Sequence, residues 1–245
     1  MRKGDAVIDK LLMKLRARDE VSAAEEAALR DAIGGMQQVP ADRTIVRAGE
    51  LIHHSTLLID GLMCRYKDVR SGARQIAELH VAGDFVDLHS FSLKRLDHNI
   101  MALTPCTIAI VPHAALTRIT EDAPHLTRLL WFSTSLDASI HREWVLSLGR
   151  RNALSRTAHL LCEMQVRLAL VGLAEESGYR LDITQADLAE CLGLTSVHVN
   201  RVLRELRETE LADFKKGEVR ILDKAKLWRV AEFDPLYLQL EPRAL

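Results

Sequence analysis

The fold of the C-terminal third of this chain is decided by one stretch, Ile183-Thr-Gln-Ala-Asp-Leu-Ala-Glu-Cys-Leu-Gly-Leu-Thr-Ser-Val-His-Val-Asn-Arg201. Thr184 and Thr195 are placed to cap two successive helices through their hydroxyls. Gly193 lies between them, where a tight turn needs the left-handed conformation. The stretch therefore predicts a helix-turn-helix. The residues predicted on the buried face of its second helix, which runs from Ser196 to about Thr209, are Val199, Val202, Leu203 and Leu206.

Two short β-prone runs follow this helix pair. They are Leu211–Phe214 and Val219–Leu222, and a polar turn separates them. A two-stranded wing is the expected structure. Its turn lysines, Lys215 and Lys216, are expected to lie near phosphates and to add salt-dependent, sequence-independent affinity. A solvated turn with no DNA contact is the alternative.

The exposed side of the second helix carries the predicted base-reading residues. Arg201 is expected to read guanine through its planar fork, Asn200 to pair with adenine or a phosphate, and Val197 to touch a thymine methyl. A surface salt bridge from Arg201 to Glu205 is the competing interpretation. The residues predicted to contact the DNA backbone, besides the two wing lysines, are Thr184, Gln185, Thr195, Ser196, His198 and Arg204.

A part of the sequence well before the helix-turn-helix has a β-strand pattern and not a helical one. Short β-prone runs between Val39 and Val111 are cut by glycines 12, 11 and 11 residues apart, at Gly49, Gly61, Gly72 and Gly83. This rhythm is typical of an antiparallel sandwich or barrel, and a small jelly roll is predicted. Before it, apolar residues at helical spacing from Val7 to Ile33 predict a helical lead-in.

One long helix is predicted from Pro124 to Leu148. Its apolar residues form two stripes, one for the barrel and one for a second chain. Gly149 and the basic pair that follows it predict a hinge near Gly149–Asn152. The residues assigned to the dimer stripe are Leu126, Leu129, Ser133, Leu136 and Ile140.

Composition narrows the function classes. The formal net charge is -1, so any DNA affinity must come from the placement of charges. The sequence holds no apolar run long enough to span a membrane and no signal-peptide core, which predicts a cytoplasmic protein without a membrane partner. The four cysteines, Cys64, Cys106, Cys162 and Cys191, lack the spacing of a zinc or redox site, and no metal is predicted.

These patterns predict an α+β chain of four segments. Residues 1–38 form the helical lead-in and residues 39–115 a jelly roll of the cyclic-nucleotide-binding type that acts as a sensor. Residues 116–148 form the dimerisation helix, and residues 149–245 form the winged helix-turn-helix DNA-binding domain.

From about Val39 to Asp223 the chain resembles the Crp/Fnr family of bacterial transcription regulators. The matching stretches are Arg47-Ala48-Gly49-Glu50, Gly83-Asp84-Phe85 and Ile183 to Arg201. The resemblance implies a homodimer on a palindromic operator, with Arg201 reading guanine and RNA polymerase as an expected partner. Many members carry glutamate where Val197 stands, which predicts a changed base preference at that operator position.

The sequence departs from the family in its ligand-binding part. Where nucleotide-binding members have a Gly-Glu pair and an arginine, this chain has Asp87 and Leu88, then Leu96 and Asp97. A carboxylate there would repel a cyclic phosphate, so cyclic AMP is disfavoured. The lack of cysteine before Cys64 disfavours an iron–sulfur cluster, and the isolated histidines disfavour haem. No cofactor is predicted, and a different small-molecule or redox signal is left open.

Two alternatives belong to other classes. A jelly-roll metal enzyme of the cupin type would need clustered ligands such as His80, His89, His98 and Asp87, and it would leave the C-terminal half unexplained. A dimeric ligand sensor that acts on a protein and not on DNA would keep the fold. DNA binding is the favoured interpretation, and no catalytic residue is assigned.

Overall fold

A computed structural model describes residues 5–244 as two compact units. The first unit runs to Tyr66 and includes Leu79–Ala138 and the residues from Gln239. The second comprises Lys67–Glu78 and Ser139–Leu238. The α-helices of the described residues are α1 (Asp9–Arg18), α2 (Ala23–Asp31), α3 (Ser90–Leu93), α4 (His113–Asp122), α5 (Pro124–Arg150), α6 (Ala153–Ala169), α7 (Gln185–Leu192), α8 (Ser196–Glu208) and α9 (Lys224–Ala231).

The predicted jelly roll is present as two antiparallel sheets, with strand orders β1-β7-β3 and β2-β6-β4-β5. A third sheet, of order β10-β11-β9-β8, belongs to the second unit. The strands are β1 (Gly35–Val39), β2 (Thr44–Val46), β3 (His54–Asp60), β4 (Met63–Asp68), β5 (Arg74–His80), β6 (Asn99–Ala102), β7 (Cys106–Pro112), β8 (Ala174–Glu175), β9 (Gly178–Arg180), β10 (Ala212–Lys215) and β11 (Glu218–Ile221).

The first unit has two apolar cores, one on each face of the β1-β7-β3 sheet. Side chains alternate between the faces along a strand. Leu58 and Ile108 therefore enter the core between the sheets, whereas Leu57 and Ala109 enter the core against the helices. The lead-in helix α1 contributes to the second core, as its apolar spacing predicts. Its buried residues are Leu11, Leu12 and Leu15.

Two boundaries differ from the sequence-based prediction. The lead-in assigned to residues 1–38 already contains β1 from Gly35, and its residues 1–4 lie outside the described range. The dimerisation segment 116–148 holds most of α4 and most of α5, because α4 ends at Asp122 and Pro124 starts a second, longer helix.

The second unit is built around α6, most of whose residues are buried. Glu163, fully buried on this helix, accepts hydrogen bonds from Trp144 Nε1 at 3.1 Å, Arg167 Nη1 at 3.0 Å and the Tyr237 hydroxyl at 2.8 Å. A buried carboxylate is tolerated when such donors satisfy it. Because Trp144 lies on α5, the network fastens the end of α5 to the rest of the second unit.

The hinge at Gly149–Asn152 stays a prediction, and the two compact units do not divide there. The division between the two units falls inside α5, between Ala138 and Ser139. Beyond that point Arg151 pairs with Glu143 at 2.7 Å, so the residues around Gly149 are tied to the preceding turns of the helix.

None of the helices among residues 5–244 combines the length and apolar character that a membrane crossing needs.

Candidate nucleic-acid interface

The helix-turn-helix forms as its sequence predicts. Thr184 caps α7 and accepts from Asp187 N, while the Asp187 carboxylate accepts from Thr184 N, which completes a capping box. Gly193 ends α7 in the left-handed conformation, with φ of 59°. Thr195 caps α8 and accepts from His198 N at 3.2 Å. The two helix caps and the left-handed glycine together place α8 across α7.

The buried face of α8 is the predicted one. Its buried residues are Val199, Val202, Leu203 and Leu206, and they hold the helix on the second unit's core. The opposite face is open, with Val197 exposed over 81% of its surface and Asn200, Arg201 and Arg204 all exposed. An apolar side chain so exposed beside polar neighbours is available for a partner.

The wing closes with a two-residue turn between β10 and β11. Lys216 and Gly217 both have positive φ, 53° and 75°, which suits the right-handed twist of a hairpin. A Cβ atom at Gly217 would also contact the Asp182 carboxylate, so a larger residue there would displace this side chain. The turn leaves Lys215 and Lys216 exposed at its tip.

A groove of 730 Å³ lies between α8 and the wing. It brings together six predicted DNA-contact residues from three elements, namely Gln185, Asn200, Arg201, Arg204, Lys215 and Lys216. It also contains residues that sequence reasoning missed: Arg207, Asp213 and Phe214. Arg207 could have been found from its spacing, since it follows Arg201 and Arg204 at intervals of three on the same helix. Five cationic side chains and one carboxylate line this groove, although the whole chain carries a net charge of -1.

Five further predicted DNA contacts do not line the groove. They lie at the starts of the two helices and are Thr184, Thr195, Ser196, Val197 and His198. The Thr184 hydroxyl accepts from Asp187 N and donates its proton to the Asp187 carboxylate at 2.6 Å, whereas the Thr195 hydroxyl accepts from His198 N. Within the described chain Arg201 makes no ion pair with Glu205. The exposed pair on this helix is Arg204 with Glu208, at 3.8 Å.

The predicted ligand-pocket residues are not brought together. Leu88 lies in the core against the helices and Leu96 in the core between the sheets, while the Asp97 side chain is 78% exposed. The structure therefore does not form the predicted degenerate pocket from these residues, because Leu88 and Leu96 enter different cores and Asp97 lies at the surface.

Asp87, the fourth predicted pocket residue, is fully buried. It accepts from Thr56 N at 2.5 Å and from Thr56 Oγ1 at 3.3 Å, and burial raises its pKa to about 7. The buried cation near it, Arg65, binds Asp137 at 2.8 Å and the Val86 carbonyl at 2.8 Å. A buried carboxylate and an arginine bound to another carboxylate do not fit a cyclic phosphate.

The predicted dimer residues are also corrected. Leu126 and Leu129 are fully buried in the first unit's own core, and Ile140 is 3% exposed. They have no surface left for a second chain. Ser133 and Leu136 are only half-buried. The exposed stripe of α5, whose members follow one another at intervals of three and four, consists of Trp131, Ser135, Ala138, Arg142 and Val145.

Two domain families match the chain. Residues 36–123 match the cyclic nucleotide-binding domain, and residues 155–230 match the Crp-like helix-turn-helix domain. The chain belongs to the Crp/Fnr family. As a member of this family it is a DNA-binding transcription regulator and not an enzyme, which excludes the cupin-type alternative.

Named relatives agree over most of this Crp/Fnr chain. The transcriptional activator protein FnrL of Cereibacter sphaeroides is 26% identical and covers 86% of each chain. The nitrogen fixation regulation protein FixK of Bradyrhizobium diazoefficiens is 26% identical, over 89% of this chain and 91% of its own. The structure of FixK2 from Bradyrhizobium japonicum has a similar fold, with a TM-score of 0.73, 24% identity and coverage of 80% of this chain and 96% of its own.

Proposed function

We propose that this regulator binds a palindromic operator as a homodimer and reads each half-site with the exposed face of α8. The groove between α8 and the wing carries this proposal, because five cationic side chains converge there although the whole chain has a formal net charge of -1. Arg201 is assigned to guanine, Asn200 to adenine or a phosphate, and Val197 to a thymine methyl. Lys215, Lys216 and Arg204 are assigned to phosphates.

The two protomers are proposed to pair through the exposed stripe of α5. Trp131 is 73% exposed and Val145 is 58% exposed, and large apolar side chains at such positions indicate a protein partner. The small residues between them, Ser135 and Ala138, allow a second helix to approach closely. This stripe replaces Leu126, Leu129 and Ile140 as the assigned interface.

The signal is proposed to be something other than cyclic AMP, an iron–sulfur cluster or haem. The burial of Asp87 and the Arg65–Asp137 ion pair support the first exclusion. The cysteine positions support the second, because the first cysteine, Cys64, lies well inside the jelly roll. For haem, His89 is partly buried and lies in ring contact with His98, which supports a packing role.

RNA polymerase is the expected partner at a promoter, and the cytoplasm, where DNA is accessible, is the proposed location.

Genome-wide DNA capture with the purified protein tests this proposal. A two-fold-symmetric motif that contains guanine should be enriched by the unmodified chain and lost with Arg201→Ala. Arg229→Ala, an exposed arginine of the same unit outside the groove, is the matched control and should retain the motif. Absence of any motif with the unmodified protein, both alone and in cell extract, would contradict operator binding.

A further inference from the structure

The turn of the helix-turn-helix is held by two side chains from outside the motif. The last carbonyl groups of a helix have no partner within it. Here the carbonyls of Glu190 and Cys191 accept from Gln75 Nε2, at 2.7 and 3.3 Å, and the carbonyl of Leu192 accepts from Arg156 Nη1. The end of α7 is therefore satisfied from two directions.

Arg156 connects this turn to the end of α5. Its Nε donates to the Ser147 carbonyl at 3.1 Å, and its Nη2 donates to the carbonyls of Leu148 and Arg151 at 3.1 and 3.0 Å. These carbonyls belong to the last turn of α5 and the residue after it. Because the guanidinium group presents its donors in a fixed planar fork, one side chain sets the distance between the end of α5 and Leu192.

Gly193 shows how closely the turn is packed against these groups. A Cβ atom at this position would lie 3.3 Å from Leu148 Cδ2, 3.4 Å from Gln75 Oε1 and 3.7 Å from Arg156 Nη1. The left-handed backbone is thus the main demand for glycine, and a side chain here would in addition be in tight contact with Leu148. The turn has little room to tilt without losing these contacts.

Gln75 reaches the turn from β5, in the segment Lys67–Glu78 that belongs to the second unit. Its amide nitrogen also donates to the carbonyl of Ile76 at 2.8 Å, which orients the side chain. The preceding residue, Arg74, lies 3.9 Å from the carboxylate of Glu190. The hairpin formed by β4 and β5 thus contacts the first helix of the motif with two successive side chains.

We propose that Arg156 and Gln75 are positioning residues for operator recognition. They fix the orientation of the helix-turn-helix relative to the last turns of α5 and so set the spacing between two recognition helices in a dimer. This inference rests on the proposed function. Two half-sites must be met in successive major grooves about 34–36 Å apart, so a small change in orientation alters the preferred spacing. In the described chain neither residue lines the groove between α8 and the wing.

The test compares operators that differ only in the spacer between identical half-sites, taken from the captured motif. Arg156→Lys keeps the charge but removes the fork, and Gln75→Ala removes the amide. Each variant should bind the best palindrome about tenfold more weakly, as expected for lost hydrogen bonds of this kind. Each should also lose or shift its preference for that spacer over spacers one base pair shorter or longer. Affinity for a single half-site should stay within about twofold.

The controls are Arg229→Lys and Ser71→Ala, exposed residues on α9 and in the β4–β5 turn, and both should keep the original spacer preference. An equal loss on all spacers, or no loss, would overturn the positioning role, because reduced stability lowers the active fraction without changing the preferred spacing. If Arg156→Lys does not fold, Gln75→Ala decides the question. If the unmodified protein selects no palindrome, the proposed function fails and not this inference alone.

Discussion

At the scale of single residues, recognition depends on which side chains the backbone of α8 leaves free. Val199 and Val202 are buried, whereas Val197 is exposed over 81% of its surface. Two valines separated by two positions thus have opposite roles on one helix. The difference follows from the 3.6-residue period, which turns Val197 to solvent while Val199 and Val202 face the core.

Replacing Val197 with glutamate should change the base preference of the protein. A carboxylate accepts a hydrogen bond from the amino group of cytosine, which valine cannot do, and the discrimination should amount to about 1–3 kcal/mol. Selection from randomised half-sites would show cytosine at the position that Val197 faces. Val69→Glu, at another exposed valine of the same unit, is the control. An identical motif from the two variants would contradict the assignment of Val197.

Asp87 should make stability depend on pH. Its folded-state pKa is about 7 because burial disfavours the charged carboxylate, whereas the ordinary value is 3.8. The native state therefore holds a proton that the unfolded chain has lost, and its contribution is lost as the pH rises from 3.8 through about 7.

Asp87→Asn should remove this dependence. Relative to that variant, the unmodified protein should lose up to about 4 kcal/mol of unfolding free energy between about pH 4 and about pH 8. Urea unfolding at both values measures the change. Asp97→Asn, at an exposed carboxylate, should show no comparable change. Parallel pH profiles for the protein and its Asp87→Asn variant would be inconsistent with a buried, protonated Asp87.

At the scale of elements, the wing and α5 each present a surface that their own packing does not use. The turn of the wing leaves the side chains of Lys215 and Lys216 exposed. On α5 the apolar residues divide between a buried side and the exposed stripe that includes Trp131 and Val145. Both elements therefore combine a packed face with an exposed face, and the exposed face is the one that we propose binds a partner.

Lys215→Gln together with Lys216→Gln should weaken DNA binding without changing the motif. Each phosphate contact contributes about 0.9 to the slope of log affinity against log salt concentration, so the slope should fall by about 1–2. Lys67→Gln with Lys94→Gln is a matched control, because Lys94 has a positive φ as Lys216 does. An unchanged slope would show that the wing does not reach the phosphates.

Trp131→Glu should dissociate the dimer. The substitution places a charge in the proposed apolar seam and should weaken dimerisation at least about tenfold, measured by analytical ultracentrifugation. Leu129→Ala should instead lower the unfolding free energy by about 2–5 kcal/mol, because Leu129 is fully buried in its own protomer. If Leu129→Ala dissociated a folded protein and Trp131→Glu did not, the result would support the interface predicted from the sequence. That interface consists of Leu126, Leu129, Ser133, Leu136 and Ile140.

At the scale of the whole molecule, a DNA-binding protein with a net charge of -1 functions because its charges are separated in space. Five cations surround one groove. Elsewhere acidic groups are paired, as Asp137 is with Arg65 and Glu143 with Arg151. In the jelly roll, the ion pair with Asp137 occupies the buried Arg65, so this cation is not free to bind an anionic ligand.

Cyclic AMP should therefore leave the protein unchanged. A ligand that binds only the folded state raises the unfolding midpoint, and at about 100 times its Kd it adds about 2.7 kcal/mol. We expect no shift of the midpoint and no change of operator affinity at millimolar cyclic AMP. A concentration-dependent rise in either quantity would show that the jelly roll binds the nucleotide.

The sequence by itself determined the winged helix-turn-helix and the jelly roll. Thr184, Gly193 and Thr195 each meet a demand of the local backbone. Their roles can therefore be predicted from the sequence without knowledge of tertiary contacts. Gly217 does the same in the wing. These features depend on neighbours a few residues away, and the structure confirms them.

Only the tertiary structure decided which face of α5 is free, because both faces are apolar and periodicity cannot distinguish a core from an interface. It also showed that Leu88 and Leu96 enter different cores, although both read as pocket residues in the sequence. Gln75 and Arg156 converge on one turn from distant parts of the chain. No local pattern indicates such a meeting, since the carbonyl groups that they satisfy are present in every residue.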